Sequence, residues 1–178
     1  TGPRIVKSVM GEDVTMEELG GARLHSQITG LADFRMKNEK ECFETIRKLI
    51  GFLPSNCDEP APVRGSKIDL SMDKSVEDIV PVDPYKAYDM REVIRHIVDD
   101  GDFLGVKAEF APEIIVGFGR LGGQTVGIVA NQPMAKAGSM TAESSAKQAR
   151  FIRFCDCFNI PIILLIDTPA YMPGSAQE

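Results

Sequence analysis

Two apolar runs separated by one helical pattern restrict the fold of this chain more than any other feature. Residues 126–130 and 160–166 are apolar runs of strand length, and residues 141–158 between them have helical periodicity. A strand–helix–strand order favours two parallel strands joined by a right-handed crossover. Parallel strands are covered on both faces, and residues 162–166 are apolar without polar alternation, as such a strand requires. The sequence therefore predicts an α/β fold.

Two loops rich in small residues follow the predicted strands. Loop one, residues 132–140, and loop two, residues 167–178, both leave the carboxyl ends of neighbouring parallel strands. In open α/β sheets ligands bind at that edge. We therefore expect function there, with Ser139, Thr141 or Ser144 capping the helix after loop one. The amino end of that helix would offer backbone N–H groups to an anion.

The side chains of these loops exclude several mechanisms. There is no G-x-S-x-G elbow, no Walker phosphate loop and no cluster of metal ligands. What remains is a shaped pocket with backbone amides, which suits oxyanion stabilisation. The alternative is that both loops are tight turns that need Pro and Gly for geometry alone, and the residues themselves leave that alternative open.

Composition narrows the class of protein. The formal charge is −6 without a basic block, so a nucleic-acid partner is not expected, and no apolar run is long enough for a membrane helix or signal peptide. The four cysteines fit neither a zinc site nor a disulfide framework. Cys155 and Cys157 are expected on different sides of one helix. Reduced thiols indicate a cytoplasmic protein.

Capping signatures predict three further helices. The pairs are Thr15 with Glu18, Asn38 with Glu41, and Asp89 with Glu92. Glycines at 20 and 21 bend or interrupt the first helix, and Pro54 is expected to end the second. His25 has no acidic or cysteine partner at ligand spacing, and His96 is expected on the wetter side of its helix, so surface or packing roles are favoured for both.

The middle of the chain predicts a linker and a hairpin. Four prolines punctuate a polar stretch between residues 56 and 84, which is the best candidate for a domain boundary, with one helical turn at residues 75–78. Gly122 and Gly123 join two β-rich runs and predict a hairpin. The G-x-G-x-x-G spacing of residues 117–122 is coincidental, because a dinucleotide fingerprint needs a helix where a strand follows.

Longer stretches of the sequence resemble a known family. The segments are GEDVTMEELGGARLHSQITGLADF, YDMREVIRHIVDDGDF, VGFGRLGGQTVGIVANQP and ARFIRFCDCFNIPIILLIDTPAYMPGSAQE. They resemble the carboxyltransferase (β) subunits of biotin-dependent acyl-CoA carboxylases and the related transcarboxylase cores and sodium-pump decarboxylase α subunits. The resemblance covers nearly the whole chain outside residues 57–80.

The resemblance implies tandem crotonase-like (ClpP/crotonase) domains of ββα superhelix type, with part of each present. Residues 1–56 would be the end of the N-terminal domain, residues 57–84 the linker, and residues 85–178 the start of the C-terminal domain. The chain begins without Met and ends inside a loop, so we expect a segment of a longer subunit. Catalytic residues stay unknown, because the family's two oxyanion holes are expected before residue 1 and after residue 178.

The resemblance also implies binding residues. Tyr171, Ala170 and Gly138 would contact biotin. Loop two would form the acyl pocket through Pro173, Gly174, Ser175 and Ala176. Ala176 matches a position that tunes the acyl chain accepted. Ala170 and Tyr171 stand where the family usually has Gly and Phe, and Ala170 would be strained if its φ were positive.

The implied activity is carboxyl transfer between carboxybiotin and the α carbon of a short-chain acyl-CoA. Biotin would be carried covalently on a partner, and no metal is expected. Partners would be the biotin carboxyl carrier protein, the biotin carboxylase subunit and further copies in a hexamer, in the cytoplasm or in a mitochondrial matrix. Two alternatives stay open: the α subunit of a sodium-pumping decarboxylase, and a non-catalytic crotonase-like scaffold.

Overall fold

A four-stranded sheet lies at the centre of the computed structural model, which describes residues 2–65, 74–83, 85–175 and 177. Its strands are β1 (Leu104–Val106), β2 (Ile114–Leu121), β3 (Gln124–Asn131) and β4 (Ile162–Leu165), in the order β1-β2-β3-β4. The first two pairs are antiparallel, and β3 pairs with β4 in parallel. The predicted parallel crossover is therefore confirmed.

The hairpin between β2 and β3 turns at two glycines, as predicted. Gly122 has φ 57° and Gly123 has φ 83°, values in the left-handed region that glycine adopts without steric cost. Their N–H groups donate to the carboxylate of Asp99, at 2.9 Å and 2.7 Å. The turn is thus fixed by an acidic side chain, and the strand that follows confirms that no dinucleotide fingerprint exists here.

Six α-helices and three short 3-10 turns complete the described part of the chain. The helices are α1 (Pro3–Met10), α2 (Met16–Gly20), α3 (Ala22–Gln27), α4 (Glu39–Ile50), α5 (Met90–Ile97) and α6 (Ala142–Cys157). The 3-10 turns are Lys74–Asp78, Asp99–Gly101 and Lys136–Gly138.

The predicted caps are present, with one boundary corrected. Thr15 and Glu18 form a reciprocal capping box, and the side chain of Asn38 accepts from the N–H of Glu41 at 2.9 Å. The first predicted helix breaks at Gly21 into α2 and α3. Helix α4 ends at Ile50, with Gly51 as its C-cap, so Pro54 is not what ends it.

The sheet carries a cluster of apolar side chains on each face. Helix α6 covers one face through Phe151 and Cys155, together with Phe52 from the chain after α4. Helix α5 covers the other face through Met90 and Ile94. Burial of apolar side chains thus holds α6 on one face of the sheet and α5 on the other.

Close packing of α6 on β3 depends on Gly127. A Cβ at this position would lie 2.6 Å from Cys155 Sγ and 3.2 Å from Phe151 Cε1. Real Cβ atoms do not approach neighbours so closely, so the absence of a side chain lets the helix and the strand meet. The direction in which α6 leaves loop one is set by this contact.

Strand β4 departs from the prediction that both of its faces are covered. Leu164 is 53% exposed, and Ile166, directly after β4, is 76% exposed. Within the described residues β4 is the edge strand of the sheet. It carries more apolar side-chain surface than the described residues bury.

The helical N-terminal part contacts the sheet through buried basic side chains. Arg120 lies over the ring of Phe52 at 4.1 Å and donates to the carbonyl of Gly51 at 2.6 Å. Lys107 bonds to the carbonyl of Gly30 and pairs with Asp33 at 2.9 Å. The domain boundaries expected near residues 56 and 84 stay a prediction, because residues 66–73 and 84 lie outside the described part.

Cysteines and histidines have the surroundings expected of them. The four cysteines are free thiols, with Cys155 buried and Cys157 exposed on the same helix, and burial raises the pKa of the Cys155 thiol to about 12. His25 contacts Thr29 at 3.1 Å, and the exposed His96 contacts the carbonyl of Glu92 at 2.8 Å. Among the described helices, none has the length and apolar character needed to cross a membrane.

Substituting Gly127 by Ala should destabilise the fold by about 1–3 kcal/mol, because the added methyl group overpacks the contact with α6. Urea unfolding would measure this free energy. Gly105→Ala in β1 is the matched control, since its Cβ would meet nothing closer than 3.5 Å. Adding Cys155→Ala to Gly127→Ala should recover about 1 kcal/mol relative to additivity. Strictly additive costs would contradict the proposed contact.

Candidate functional site

Loops one and two lie side by side at the carboxyl ends of β3 and β4. The N–H of Met140 donates to the carbonyl of Ala170 at 3.1 Å, and the N–H of Met172 donates to the carbonyl of Met140 at 2.8 Å. Met140 and Tyr171 thereby form an isolated parallel bridge. The expectation that both loops share one edge of the sheet is confirmed.

The side chain of Asn131, at the end of β3, joins the two loops. It is buried, and its Nδ2 donates to the carbonyl of Gly138 at 3.0 Å. Its Oδ1 accepts from the N–H of Asp167 at 3.2 Å. One amide therefore uses its donor on loop one and its acceptor on loop two, which fixes their separation.

Gly138 lies at a close contact between the two loops. A Cβ on this residue would overlap the backbone carbonyl oxygen of Asp167, and its φ of 73° is unfavourable for other residues. Both observations require glycine at this position. The residue predicted to contact biotin is thus placed at the contact between the loops.

The turn before Gly138 is left-handed although it contains two residues other than glycine. Lys136, Ala137 and Gly138 have φ values of 49°, 51° and 73°. Left-handed backbone costs roughly 1–2 kcal/mol for each residue with a side chain. Such strain persists only where the surroundings hold it in place, and it is concentrated at functional sites.

The N–H groups of loop one are engaged inside the loops. Gly138 donates to the carbonyl of Ala135 at 2.9 Å and Ser139 donates to that of Lys136 at 3.0 Å, while the Met140 N–H bonds to loop two. These three N–H groups are therefore not free to bind a ligand. The expectation that its amides face a ligand is wrong for these three residues.

The amino end of α6 is also occupied. Thr141 is its N-cap, in a reciprocal box with Ser144. The N–H of Ser144 donates to Thr141 Oγ1 at 3.1 Å, and the N–H of Ala142 donates to Gln177 Oε1 at 2.9 Å. The expectation that this helix end offers unpaired N–H groups to an anion is therefore wrong for Ala142 and Ser144, since loop two and the N-cap satisfy them.

A cleft of about 450 Å³ opens beside the two loops. Apolar and aromatic side chains form most of its wall, with two carboxylates and one lysine at its rim. The lining residues that matter here are Tyr85, Tyr88, Pro133, Ala137, Asp167 and Pro169. A mostly apolar wall with a few polar groups suits a small ring with a few polar atoms.

Tyr88 anchors the wall of the cleft. Its hydroxyl donates to Asp167 Oδ2 at 2.7 Å. Burial, together with this hydrogen bond, raises the pKa of the Tyr88 phenol to about 12. Asp167 is thus held by its side chain on Tyr88, by its N–H on Asn131 and by close contact with Gly138.

Gln132 connects loop one to helix α5. It is 2% exposed, its Oε1 accepts from the N–H of Met90 at 3.2 Å, and its Nε2 donates to Asp89 at 2.5 Å. Burial raises the pKa of Asp89, but hydrogen bonds from Gln132 and from the N–H of Arg91 outweigh it, so this pKa lies below its usual value. Asp89 caps α5 as an ionised carboxylate.

None of the predicted site residues within the described part of the chain is among the residues that line the cleft. Tyr171 is 74% exposed, and Pro173, Gly174 and Ser175 are exposed beyond it. Ala170 is absent from the residues with positive φ, so the strain considered for it does not arise. Ala176 lies outside the described residues. Binding of biotin or acyl groups by these residues stays a prediction.

Sequence reasoning missed the residues that hold the site together. Tyr88, Asn131 and Gln132 were not singled out, although all three fall within the segments that carry the family resemblance. The signal that could have found them is polar residues directly at the end of a buried strand, where a side chain must find buried partners.

Comparisons with known proteins agree with this architecture. The carboxyl transferase domain family matches residues 1–178. The chain is 49% identical to the propionyl-CoA carboxylase beta chain of Cereibacter sphaeroides, covering all of this chain and 35% of that protein. It is 46% identical to the methylmalonyl-CoA decarboxylase subunit alpha of Veillonella parvula, with the same coverage.

A solved structure of the transcarboxylase 12S hexamer, with methylmalonyl-coenzyme A bound, superposes with a TM-score of 0.96 at 45% identity. The alignment covers 99% of this chain and 34% of that chain. The chain thus spans about a third of the length of the relatives that it matches, and the expected crotonase-like α/β fold, present in part, is confirmed.

Tyr88→Phe should remove the late-titrating tyrosine of this protein. With its pKa raised to about 12, the Tyr88 phenol favours the folded state below its ordinary pKa of 10, and this contribution is lost as the pH rises from 10 to 12. We expect phenolate absorbance to lose its most alkaline step in the variant, and alkaline unfolding to become shallower. Tyr85→Phe is the control. An unchanged alkaline step in Tyr88→Phe would contradict the assignment.

Proposed function

Because the chain belongs to the carboxyl transferase domain family, we propose that it is part of the carboxyltransferase component of a biotin-dependent acyl-CoA carboxylase. The reaction moves a carboxyl group between carboxybiotin and the α carbon of a short-chain acyl-CoA. The observation that carries this proposal is the direct pairing of loops one and two through Met140 and Tyr171 beside the cleft.

The cleft has the chemistry that a biotin ring needs. Its wall combines Pro133, Pro169 and Tyr88, which offer flat, neutral contact to a bicyclic ring. Tyr171 lies two residues after Pro169 and is exposed, and its backbone N–H and carbonyl could hydrogen-bond a neutral urea. When bound, biotin supplies the carrier of the carboxyl group. The residues of this chain then orient the ring and exclude water from it.

Asp167 and Tyr88, which contact each other in the cleft, are not suited to act as strong bases. Asp167 is engaged by Tyr88, and the raised pKa of Tyr88 keeps its phenol protonated at neutral pH. Stabilisation of enolate charge by backbone N–H groups agrees with such a site. The N–H groups of Gly138, Ser139 and Met140 are engaged in internal hydrogen bonds, so we assign that stabilisation to other N–H groups of the protein.

Substrate and partners follow from the same proposal. We propose a short-chain acyl-CoA as substrate, a biotin carboxyl carrier protein and a biotin carboxylase subunit as partners, and a hexameric assembly in the cytoplasm. The names of the relatives support the acyl-CoA class, and the hexamer of the transcarboxylase 12S structure supports the assembly.

The α subunit of a sodium-pumping decarboxylase is a second candidate. The similarity to methylmalonyl-CoA decarboxylase subunit alpha, at 46% identity, favours it almost as strongly. In that case the same site would take the carboxyl group from the acyl-CoA, and a membrane partner would release it. Decarboxylation that depends on sodium ions and on such a partner would select this candidate.

Gly138→Ala should lower carboxyl transfer about 100-fold, because a methyl group at this contact pushes loop one away from Asp167 and misplaces the ring by about 1 Å. The assay is conversion of methylmalonyl-CoA to propionyl-CoA with free biotin as acceptor, followed by chromatography.

Gly11→Ala is the matched control, since Gly11 has a φ of 75° but no atom near its Cβ position. Gly11 lies at the end of α1 and is distant in sequence from loop one. Equal activity in both variants would remove the support from loop geometry. If the full-length protein that contains this segment shows no transfer at all, the non-catalytic scaffold is the correct interpretation.

Ala176→Asp should shift the acyl-CoA profile toward the shorter chains, because a carboxylate beside an apolar acyl group disfavours each added methylene. We expect kcat/KM for butyryl-CoA to fall at least about tenfold relative to acetyl-CoA. Steady-state kinetics with acetyl-, propionyl- and butyryl-CoA would measure this. An unchanged profile would contradict the assignment of Ala176 to the acyl pocket.

A further inference from the structure

One buried glutamate contacts loop one at its beginning and in its middle, and also contacts the residue that follows the loop. Glu113 directly precedes β2 and is completely buried. Its backbone carbonyl accepts from the N–H of Gln132 at 2.9 Å. Its Oε1 accepts from Lys136 Nζ at 3.1 Å and from Thr141 Oγ1 at 2.5 Å. The loop is therefore closed onto a single residue of the neighbouring strand.

The contact with Lys136 falls on the strained part of the loop. Lys136 is the first of the three left-handed residues, and Ala137, the second, lines the cleft. Gly138, the third, is bonded to Asn131 and lies against Asp167. A force that holds Lys136 in place therefore also sets the position of the cleft wall.

The charges around Glu113 favour this pairing. Burial raises the pKa of Glu113, but hydrogen bonds from Thr141 and Lys136 outweigh it, so the carboxyl stays ionised. Among the described residues its Oε2 has no hydrogen-bond partner. Lys147 Nζ, on α6, donates its hydrogen bonds to the carbonyls of Phe110, Ala111 and Ile114. Lys136 is thus the described cation that bonds directly to the buried carboxylate.

We propose that Glu113 and Lys136 are a positioning pair that holds loop one in its left-handed turn and thereby sets the width of the cleft for the biotin ring. Neither residue touches the reacting atoms. Both act through Ala137 and Gly138. The effect on biotin binding rests on the proposed function, whereas the effect on the turn does not.

Three substitutions of Lys136 test whether its side chain acts by holding the backbone of loop one in the left-handed turn. Lys136→Met keeps the length and removes the charge. Lys136→Gly also removes the charge but adopts a positive φ without cost. Lys136→Arg keeps a cation that can reach the carboxylate. If the pair acts by holding the backbone, the Met variant should be defective, the Gly variant should recover, and the Arg variant should resemble the parent protein.

Hydrogen exchange gives a readout that is independent of activity. The N–H groups of Met140 and Met172 bond between the loops, so their protection reports how firmly the loops are held together. We expect exchange about tenfold faster in Lys136→Met and near the parent rate in Lys136→Gly. Unchanged protection in Lys136→Met would overturn the proposal.

Kinetics with free biotin supply the second readout. We expect KM for biotin to rise about tenfold in Lys136→Met with little change in kcat, and to recover in Lys136→Gly. If Lys136→Gly regains loop protection but not KM, the charge of Lys136 acts on the ligand itself and the positioning role is wrong. If the parent protein transfers no carboxyl group while exchange behaves as expected, the proposed function fails and the holding of the turn stands.

Discussion

The parallel pairing of β3 with β4 determines where the loop residues of the candidate site lie. Because both strands run in the same direction, loops one and two must leave the sheet at one edge. Gly127 lets α6, the helix between the two strands, pack closely on β3. Asn131 then joins the loops with a single amide. Without parallel strands the same loop residues would lie at opposite ends of the sheet.

Local patterns predicted the elements of this fold because their causes are local. Thr15 and Asn38 cap helices through side chains that reach only three residues along the chain, and Gly122 and Gly123 form a turn that needs two positive φ values. The crossover was predictable for a similar reason, since chain connectivity allows few arrangements. Burial of β4 was not predictable, because it depends on what packs against Leu164 and Ile166.

The candidate site was predictable in place but not in detail. Its edge follows from strand direction, and Gly138 follows from the resemblance. The left-handed turn has no local signal, because Lys136 and Ala137 are residues that ordinarily avoid positive φ. It exists through Glu113, which is distant in sequence and becomes a neighbour only when β2 and β3 pair. A contact of that kind is invisible to periodicity and to spacing.

Several polar side chains in and behind the cleft wall are engaged in hydrogen bonds that hold it, and this limits the chemistry that these side chains can perform. Asn131 and Gln132 satisfy backbone groups, Tyr88 binds Asp167, and Glu113 faces Lys136 and Thr141. What faces the cleft is mostly apolar and rigid. Such a wall can orient a neutral ring and keep water away, but the developing charge of a transferred carboxyl group needs donors from elsewhere in the protein. The described residues therefore fit the part of a carboxyl transfer site that shapes the pocket and orients the ring.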